Sequence, residues 1–143
     1  MALTREEREE FLAQPHIAAL SVYAGPDRAP LTVPIWYKYT PGGDVWFMTG
    51  RKSRKNQLIS KSGRITLMVD RLQPSVRYVS VEGPIVDSYT GYSEHVREMA
   101  SRYMAAEKVE AYVEYTSNAK EHADTIIHHM RPERWVGSDL GTF

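Results

Sequence analysis

Cysteine, a long hydrophobic run and a net charge are all missing from this 143-residue chain. Without cysteine the protein has no disulfide, no thiolate metal site and no cysteine nucleophile, a composition that suits a reducing cytoplasm. No segment approaches the roughly 20 apolar residues of a membrane-spanning helix. The N-terminal sequence MALTREEREEF also lacks the apolar core of a secretory signal. We therefore expect a soluble, cytoplasmic protein with no membrane partner.

The balance of charges argues against a general nucleic-acid-binding surface. The 18 Lys and Arg residues are matched by 18 Asp and Glu residues, whereas non-specific nucleic-acid binders carry a broad basic field. A small barrel with basic and aromatic residues can bind single-stranded nucleic acid, but here the cations are concentrated in one short segment. We expect no nucleic-acid partner. The length fits a single domain that spans residues 1–143.

Period-two alternation of apolar residues predicts several short strands. They lie at 17–23, 31–39, 45–49, 64–70 and 76–86, with a last strand at 125–136 that is interrupted near Pro132. The capping box of Thr4 and Glu7 begins a first helix, and helical spacing predicts others at 53–62 and about 93–107. No element is assigned to 108–124. Because the strands and helices do not alternate regularly, we predict an α+β fold, a small mainly antiparallel barrel with flanking helices.

Prolines place two local constraints on this barrel. In the strand predicted at 31–39, the apolar residues at odd positions share one face, and the other face carries Pro34 and Trp36. Since proline has no N–H to donate, this strand should lie at a sheet edge or contain a bulge, with exposed backbone beside Trp36. In the fifth strand, Gly83 followed by Pro84 predicts a bulge or a bend.

The segment 45–59, VWFMTGRKSRKNQLI, places cations at the start of a helix. A strand-like run ends at Gly50, which permits a sharp turn, and Ser53 is a favourable N-cap. Four cationic side chains surround that turn. They are Arg51, Lys52, Arg54 and Lys55. Together with the free amides and dipole of the helix start, these cations favour a bound phosphate; the alternative is an ordinary solvated surface.

The histidines do not form a recognisable metal site. His128 and His129 are adjacent in a predicted strand and should point to opposite faces of the sheet. His122 has no recognised ligand spacing with His95 or His128. We expect no bound metal.

The segment FMTGRKSRKNQL, residues 47–58, resembles the phosphate-binding signature of the pyridoxamine 5'-phosphate oxidase-like flavin-binding split-barrel family. In that family an aromatic strand ends in Thr and leads to Ser, Arg and Lys. The resemblance implies a split β-barrel in which these matched residues hold the cofactor phosphate. They are Thr49, Ser53, Arg54 and Lys55, with Arg51 as a supplement. The strand VPIWYKY resembles the family strand that flanks the isoalloxazine ring, which implicates Val33, Pro34, Ile35 and Trp36.

Two departures from the family pattern argue against oxidation of pyridoxamine phosphate itself. Tyr78 stands where the true oxidases carry a flavin-contacting glutamine, and the C-terminal arginine and histidine lack the family's spacing. Short members of the family bind either FMN or the deazaflavin coenzyme F-420, and the basic turn does not distinguish the two cofactors. Tyr78 and Trp135, from the same chain or its partner, are candidates to line the substrate side.

The resemblance therefore implies a homodimeric flavin- or deazaflavin-dependent oxidoreductase. The cofactor would lie at the dimer interface and transfer hydride to or from a small organic substrate. A non-catalytic flavin carrier or redox sensor that uses the same groove is the alternative. The sequence identifies neither the substrate, the electron donor nor any catalytic residue.

Overall fold

The structure, a computed structural model, describes residues 1–118 and 124–142. Within that part of the chain the helices are α1 (Arg5–Ala13), α2 (Arg54–Ser62), α3 (Ser93–Tyr103) and α4 (Ala106–Asn118). The strands are β1 (Ala18–Val22), β2 (Leu31–Ile35), β3 (Tyr37–Tyr39), β4 (Val45–Gly50), β5 (Arg64–Arg71), β6 (Val76–Thr90), β7 (Thr125–Met130) and β8 (Arg134–Gly141). No helix in these described residues is long and apolar enough to cross a membrane. His122 lies outside them.

The strands form one antiparallel sheet. Its order is β2-β1-β5-β6-β7-β4-β3, and β8 pairs with β6. The first part of β6 lies between β5 and β8, and its second part, from Ile85, pairs with β7. One long strand thus joins two half-sheets, and the sheet curls into a split barrel with helices on its outside. The predicted α+β fold class is confirmed.

The strand predicted at 31–39 is two strands. β2 pairs with β1 at one end of the sheet, and β3 pairs with β4 at the other. At the break, the hydroxyl of Tyr103 accepts a hydrogen bond from the N–H of Tyr37 (3.2 Å) and lies 3.0 Å from the carbonyl oxygen of Tyr37. The prediction of a continuous strand is wrong because the side chain of Tyr103, which is distant in the sequence, bonds the backbone of Tyr37 at the break. Pro34 lies in an edge strand, as its missing N–H predicts.

The second half of the chain departs from the predicted elements in two more places. The helix predicted at 93–107 ends at Tyr103, and α4 fills most of the unassigned segment 108–124. The predicted interruption near Pro132 is confirmed, but it separates two strands: β7 pairs with β4 and β6, while β8 pairs with β6 alone among the described strands.

The irregularity predicted in the fifth strand occurs slightly later than Gly83 and Pro84. The register of β6 shifts between Ile85 and Asp87. Gly83 has a different role, because a Cβ atom there would lie 1.8 Å from the carbonyl oxygen of Arg131. Only glycine lets the two backbones approach this closely.

Two apolar clusters hold the described residues together. The larger cluster fills the barrel and packs α1 and α2 onto the sheet; Phe11 and Leu67 are among its fully buried members. The smaller cluster joins α3 to α4 through Ala100, Val109 and Val113. We call residues 93–118 the helical hairpin. Since its apolar cluster is separate from that of the barrel, the hairpin is a second packing unit attached to the first.

Candidate functional site

The turn between β4 and α2 forms as the sequence predicts. The hydroxyl of Ser53 donates to the carbonyl of Gly50 (2.8 Å) and accepts from the amide of Asn56 (3.1 Å), which makes Ser53 the N-cap. Gly63, in the left-handed conformation with φ of 71°, ends the helix. Within the described residues, the amides of Arg54 and Lys55 have no acceptor. The positive end of the helix dipole is therefore open to an anion.

The four cations of this turn do not converge. Arg51 donates to the carboxylate of Asp124 (2.7 Å) and to the hydroxyl of Thr90 (3.1 Å). Lys52 is exposed, and Arg54 and Lys55 line two different clefts on either side of α2. Consecutive helical residues point about 100° apart, so neighbouring side chains in the first turn face different surfaces.

Lys55 turns into a cleft of about 240 Å³, which we call the Lys55 cleft. Its barrel side is lined by Ile35, Trp36, Met48, Thr49 and Gly50, and its helical side by Val96, Met99, Tyr112 and Thr116, with Thr125 between them. Desolvation by burial lowers the pKa of Lys55 and raises the pKa of Tyr112. Among the described residues, no carboxylate forms an ion pair with Lys55. In the part of the chain that the structure describes, the cleft therefore presents a partly desolvated cation without a counter-charge.

Aromatic rings connect the helical hairpin to the mouth of this cleft. The indole of Trp36 stacks on Tyr103 with ring centroids 4.7 Å apart and an interplanar angle of 13°. Tyr112 of α4 packs against the same indole at 5.8 Å and 39°. The Tyr103 hydroxyl also donates to the carbonyl of His16 (2.7 Å). These contacts fix Trp36 at the break between β2 and β3, beside the apolar wall of the Lys55 cleft.

A buried polar network lies under the turn. The side-chain oxygen of Asn56 accepts from the hydroxyl of Thr49 (3.1 Å) and lies 2.6 Å from Nε2 of His128, while its side-chain nitrogen donates to the carbonyl of Arg51 (2.9 Å). Because that oxygen can only accept, Nε2 of His128 carries the proton, and Nδ1 accepts from the hydroxyl of Ser88 (2.7 Å). We call the three buried side chains, of Thr49, Asn56 and His128, the buried network; Ser88, which bonds His128, is itself exposed.

Burial lowers the pKa of His128 to about 4, so its ring is neutral at neutral pH. His129, the next residue, instead bonds the hydroxyl of Tyr89 (2.7 Å). The two histidines thus point to opposite faces, as the strand pattern predicts. A neutral His128 fixes the amide of Asn56, which in turn fixes the carbonyl of Arg51 and the N-cap of α2. The network holds the basic turn in one conformation.

The sequence-predicted site residues fall into several places. Ile35, Trp36, Thr49 and Lys55 line the Lys55 cleft, and Ser53 caps the helix beside it. Arg54 faces the second cleft, and Arg51 is paired with Asp124. Val33 and Pro34 lie opposite Leu20 and Ala19 in the edge strand β2.

Tyr78 and Trp135, the residues predicted near the substrate, line neither of these two clefts. Tyr78 lies on β6 in register with Asp70 and Ser138. Trp135 packs against Tyr39 with ring centroids 6.1 Å apart. Within one chain the structure does not bring either residue to the Lys55 cleft.

Sequence reasoning missed Asn56, His128, Tyr112 and Thr116. Asn56 follows the cationic pair inside the recognised motif, but its burial, and with it the network, is visible only in the structure. The α4 residues carried no motif, and only tertiary packing brings Tyr112 to the cleft.

Comparisons with known proteins agree with this architecture. A sequence profile of the family described as pyridoxamine 5'-phosphate oxidase matches residues 4–137. Among curated proteins no match is found. An F-420 reductase has a similar structure, with a TM-score of 0.71, 20% identity, and 89% of this chain and 94% of that chain covered.

Two further solved structures share the fold. A FAD-binding protein from Mesorhizobium loti aligns with a TM-score of 0.67 and 15% identity, over 99% of this chain and 98% of that one. A conserved hypothetical protein from Mycobacterium tuberculosis aligns with a TM-score of 0.67 and 20% identity, over 96% of this chain and 85% of that one. The resemblance noticed in the basic turn is confirmed over nearly the whole chain: this protein belongs to the pyridoxamine 5'-phosphate oxidase-like split-barrel family.

Proposed function

We propose that this protein is a cytoplasmic oxidoreductase that binds FMN or coenzyme F-420 and transfers hydride to or from a small organic substrate. The family profile and the fold shared with an F-420 reductase and a FAD-binding protein support a flavin or deazaflavin as the cofactor. The observation that carries the proposal is the Lys55 ammonium group. It is half-buried, lines a cleft with aromatic and apolar walls, and lacks a carboxylate partner among the described residues.

The residues around Lys55 fit a phosphate joined to an aromatic ring. The free amides of Arg54 and Lys55 and the dipole of α2 favour an anion at the turn, and the ammonium group of Lys55 adds a charge. The hydroxyl groups of Thr49 and Ser53 donate to protein oxygens. We therefore assign the direct phosphate contacts to Lys55 and the amides, a rim contact to Arg54, and support of the turn to Thr49 and Ser53.

The ring would lie against Ile35 and Trp36, beside the exposed edge of β2 that includes Val33 and Pro34. When bound, a flavin or deazaflavin ring supplies the hydride chemistry. The chain's own residues orient the ring and exclude water through the apolar side chains of Val96 and Met99. Tyr112, whose pKa is raised by burial, remains a neutral phenol that can donate a hydrogen bond at neutral pH.

We further propose that the protein works as a homodimer. The Lys55 cleft of about 240 Å³ is smaller than the 300–1,000 Å³ of typical small-molecule sites, so a second chain would complete it. Tyr78 and Trp135 do not reach the Lys55 cleft of their own chain, and the partner's copies remain candidates for the substrate side. Arg51, paired with Asp124, would shape the turn rather than bind the cofactor.

The proposal is tested by titrating the purified protein with FMN, F-420 and FAD while recording absorption and fluorescence. We expect one of them to bind, and Lys55→Gln to weaken that binding at least tenfold, because charge-assisted hydrogen bonds to phosphate contribute about 1.5–3 kcal/mol. Lys52→Gln is the matched control, since Lys52 is exposed and lines neither cleft. If none of the three compounds binds, or if both variants lose the same affinity, the assignment is wrong.

A flavin carrier or redox sensor is the second candidate. It is favoured by the chemistry of the Lys55 cleft, where Lys55 and Tyr112 are the ionisable side chains among the described lining residues, and these two do not make an acid–base pair. Turnover separates the two candidates. If the reduced holoprotein passes hydride to none of a panel of quinones, nitro compounds and enoyl acceptors, the carrier is the better description.

A further inference from the structure

A second cleft lies on the other side of α2. Its volume is about 370 Å³, larger than that of the Lys55 cleft and within the usual range of small-molecule sites. One wall is the turn at residues 23–26, and the other is the outer face of α2. We call it the Arg54 cleft. Arg54 is the one lining residue to which the proposed cofactor site assigns a contact, so that site does not account for the rest of the cleft.

The α2 wall has a regular arrangement of charge. Arg54, Gln57, Leu58 and Lys61 line the cleft and are spaced i, i+3, i+4 and i+7, which places them in one stripe along the helix. The two cations are seven residues apart, or about 10.5 Å along the helix axis. Within the described residues neither Arg54 nor Lys61 forms an ion pair, and no carboxylate lines the cleft.

Between the two cations the cleft is apolar. Leu58 is buried at its base, and Ala24 and Pro26 form part of the opposite wall. Tyr23 leaves 58% of its surface exposed at the same wall, so its ring is available to stack on a flat ligand. A positive group at each end and an aromatic or apolar surface between them complement a rigid molecule with two acidic ends.

We propose that the Arg54 cleft binds an organic dianion with a flat apolar body, whose two acidic groups contact Arg54 and Lys61. This site shares Arg54 with the proposed cofactor site, where Arg54 has only a rim contact, but its second cation, Lys61, and its tyrosine and apolar walls line the Arg54 cleft and not the Lys55 cleft. Cations along a helix are ordinarily solvated. Here they border a concave, largely apolar surface, which solvation of the cations alone does not explain.

The test uses naphthalene-2,6-dicarboxylate, a fluorescent dianion with acids at opposite ends of a flat ring system. Naphthalene-2-carboxylate and the neutral 2,6-dicarboxamide are the comparison ligands. We expect the dianion to bind the protein about three- to fivefold more tightly than the monoanion, since each partly exposed ion pair contributes up to about fivefold. The difference in affinity between the dianion and the monoanion should become smaller as salt concentration rises.

Substitutions then locate the site. Lys61→Gln should weaken binding of the dianion about three- to fivefold, to the level of the monoanion, and leave the flavin or deazaflavin titration unchanged. Lys55→Gln and Lys52→Gln, which remove the same charge elsewhere, should leave binding of the dianion unchanged. Because Lys61 is exposed, Lys61→Gln should unfold at the same temperature as the parent protein.

The proposal is overturned if the dianion does not bind, if the neutral diamide binds equally well, or if Lys55→Gln weakens binding and Lys61→Gln does not. The last result would place the probe in the Lys55 cleft. If the protein binds the dianion but no flavin, this inference stands and the proposed function is wrong. If it binds a flavin but not the dianion, the proposed function stands and this inference is wrong.

Discussion

The two sides of the Lys55 cleft are built differently. The barrel side rests on the buried network, in which each polar group under the turn has a partner within the barrel. The hairpin side rests on a small apolar cluster of its own, and reaches the barrel through the aromatic contacts of Tyr103 and Tyr112 with Trp36. One wall of the site is therefore part of the main core, and the other is attached to it.

The strongest test of the barrel side is Asn56→Ala. The substitution leaves the Thr49 hydroxyl, the His128 ring N–H and the Arg51 carbonyl without their partner. Buried polar groups that lose a partner cost about 1–3 kcal/mol each, so we expect the free energy of unfolding to fall by about 3–4 kcal/mol. Urea denaturation measures this loss. Gln57→Ala, at the next and exposed position, is the control and should change stability little; equal losses in the two variants would mean that the network contributes nothing.

Because His128 is neutral in the folded protein, the stability of the barrel should depend on pH. Its pKa is lowered from 6.5 to about 4 in the folded protein, so the unfolded chain binds a proton at a higher pH than the folded chain does. Stability from this residue is therefore present above pH 6.5, is lost as pH falls toward 4, and changes no further below that value. We expect a loss of about 2 kcal/mol between pH 7 and pH 5.

Denaturation curves for the parent protein and His128→Gln at several pH values isolate this contribution, because other titrating groups are common to both. The difference in the free energy of unfolding between the parent protein and His128→Gln should become smaller as pH falls. A constant difference from pH 7 to pH 5 would show that His128 has the same pKa in the folded and unfolded chains, which would contradict the lowering by burial.

Tyr103→Phe probes the hairpin side of the Lys55 cleft and should have the smallest effect on the free energy of unfolding. It removes the hydroxyl that bonds Tyr37 and His16 but keeps the ring that stacks on Trp36. We expect a loss of about 1 kcal/mol. Amide hydrogen exchange should quicken in the helical hairpin and at Tyr37 and remain slow in β5 and β6. Tyr115→Phe, at an exposed position, is the control. Faster exchange throughout the barrel would contradict the division into two packing units.

The same contrast explains what the sequence could predict. The turn from β4 to α2 was predictable because its determinants are local: Gly50, the N-cap Ser53 and the C-cap Gly63 act within a few residues of one another. The positions of most strands along the chain were predictable from the alternation of apolar residues. The break at Trp36 was not predictable, because it depends on Tyr103, which is 66 residues from Tyr37. The link from Asn56 to His128 spans 72 residues and carries no sequence signature.

The divergence of the basic side chains is an intermediate case. Helical geometry alone places Arg54 and Lys55 about 100° apart, so their separation into two clefts could have been anticipated once Ser53 was known to be the N-cap. The pairing of Arg51 with Asp124 could not, because it joins two segments that only the barrel brings together.

The separate packing of the helical hairpin affects how this protein can diversify. Tyr112 lines the Lys55 cleft from a helix whose apolar residues pack mainly against α3. Substitutions along α4 can therefore alter the size and polarity of the Lys55 cleft without disturbing the core of the barrel. A library intended to change the selectivity of this protein should begin in that helix.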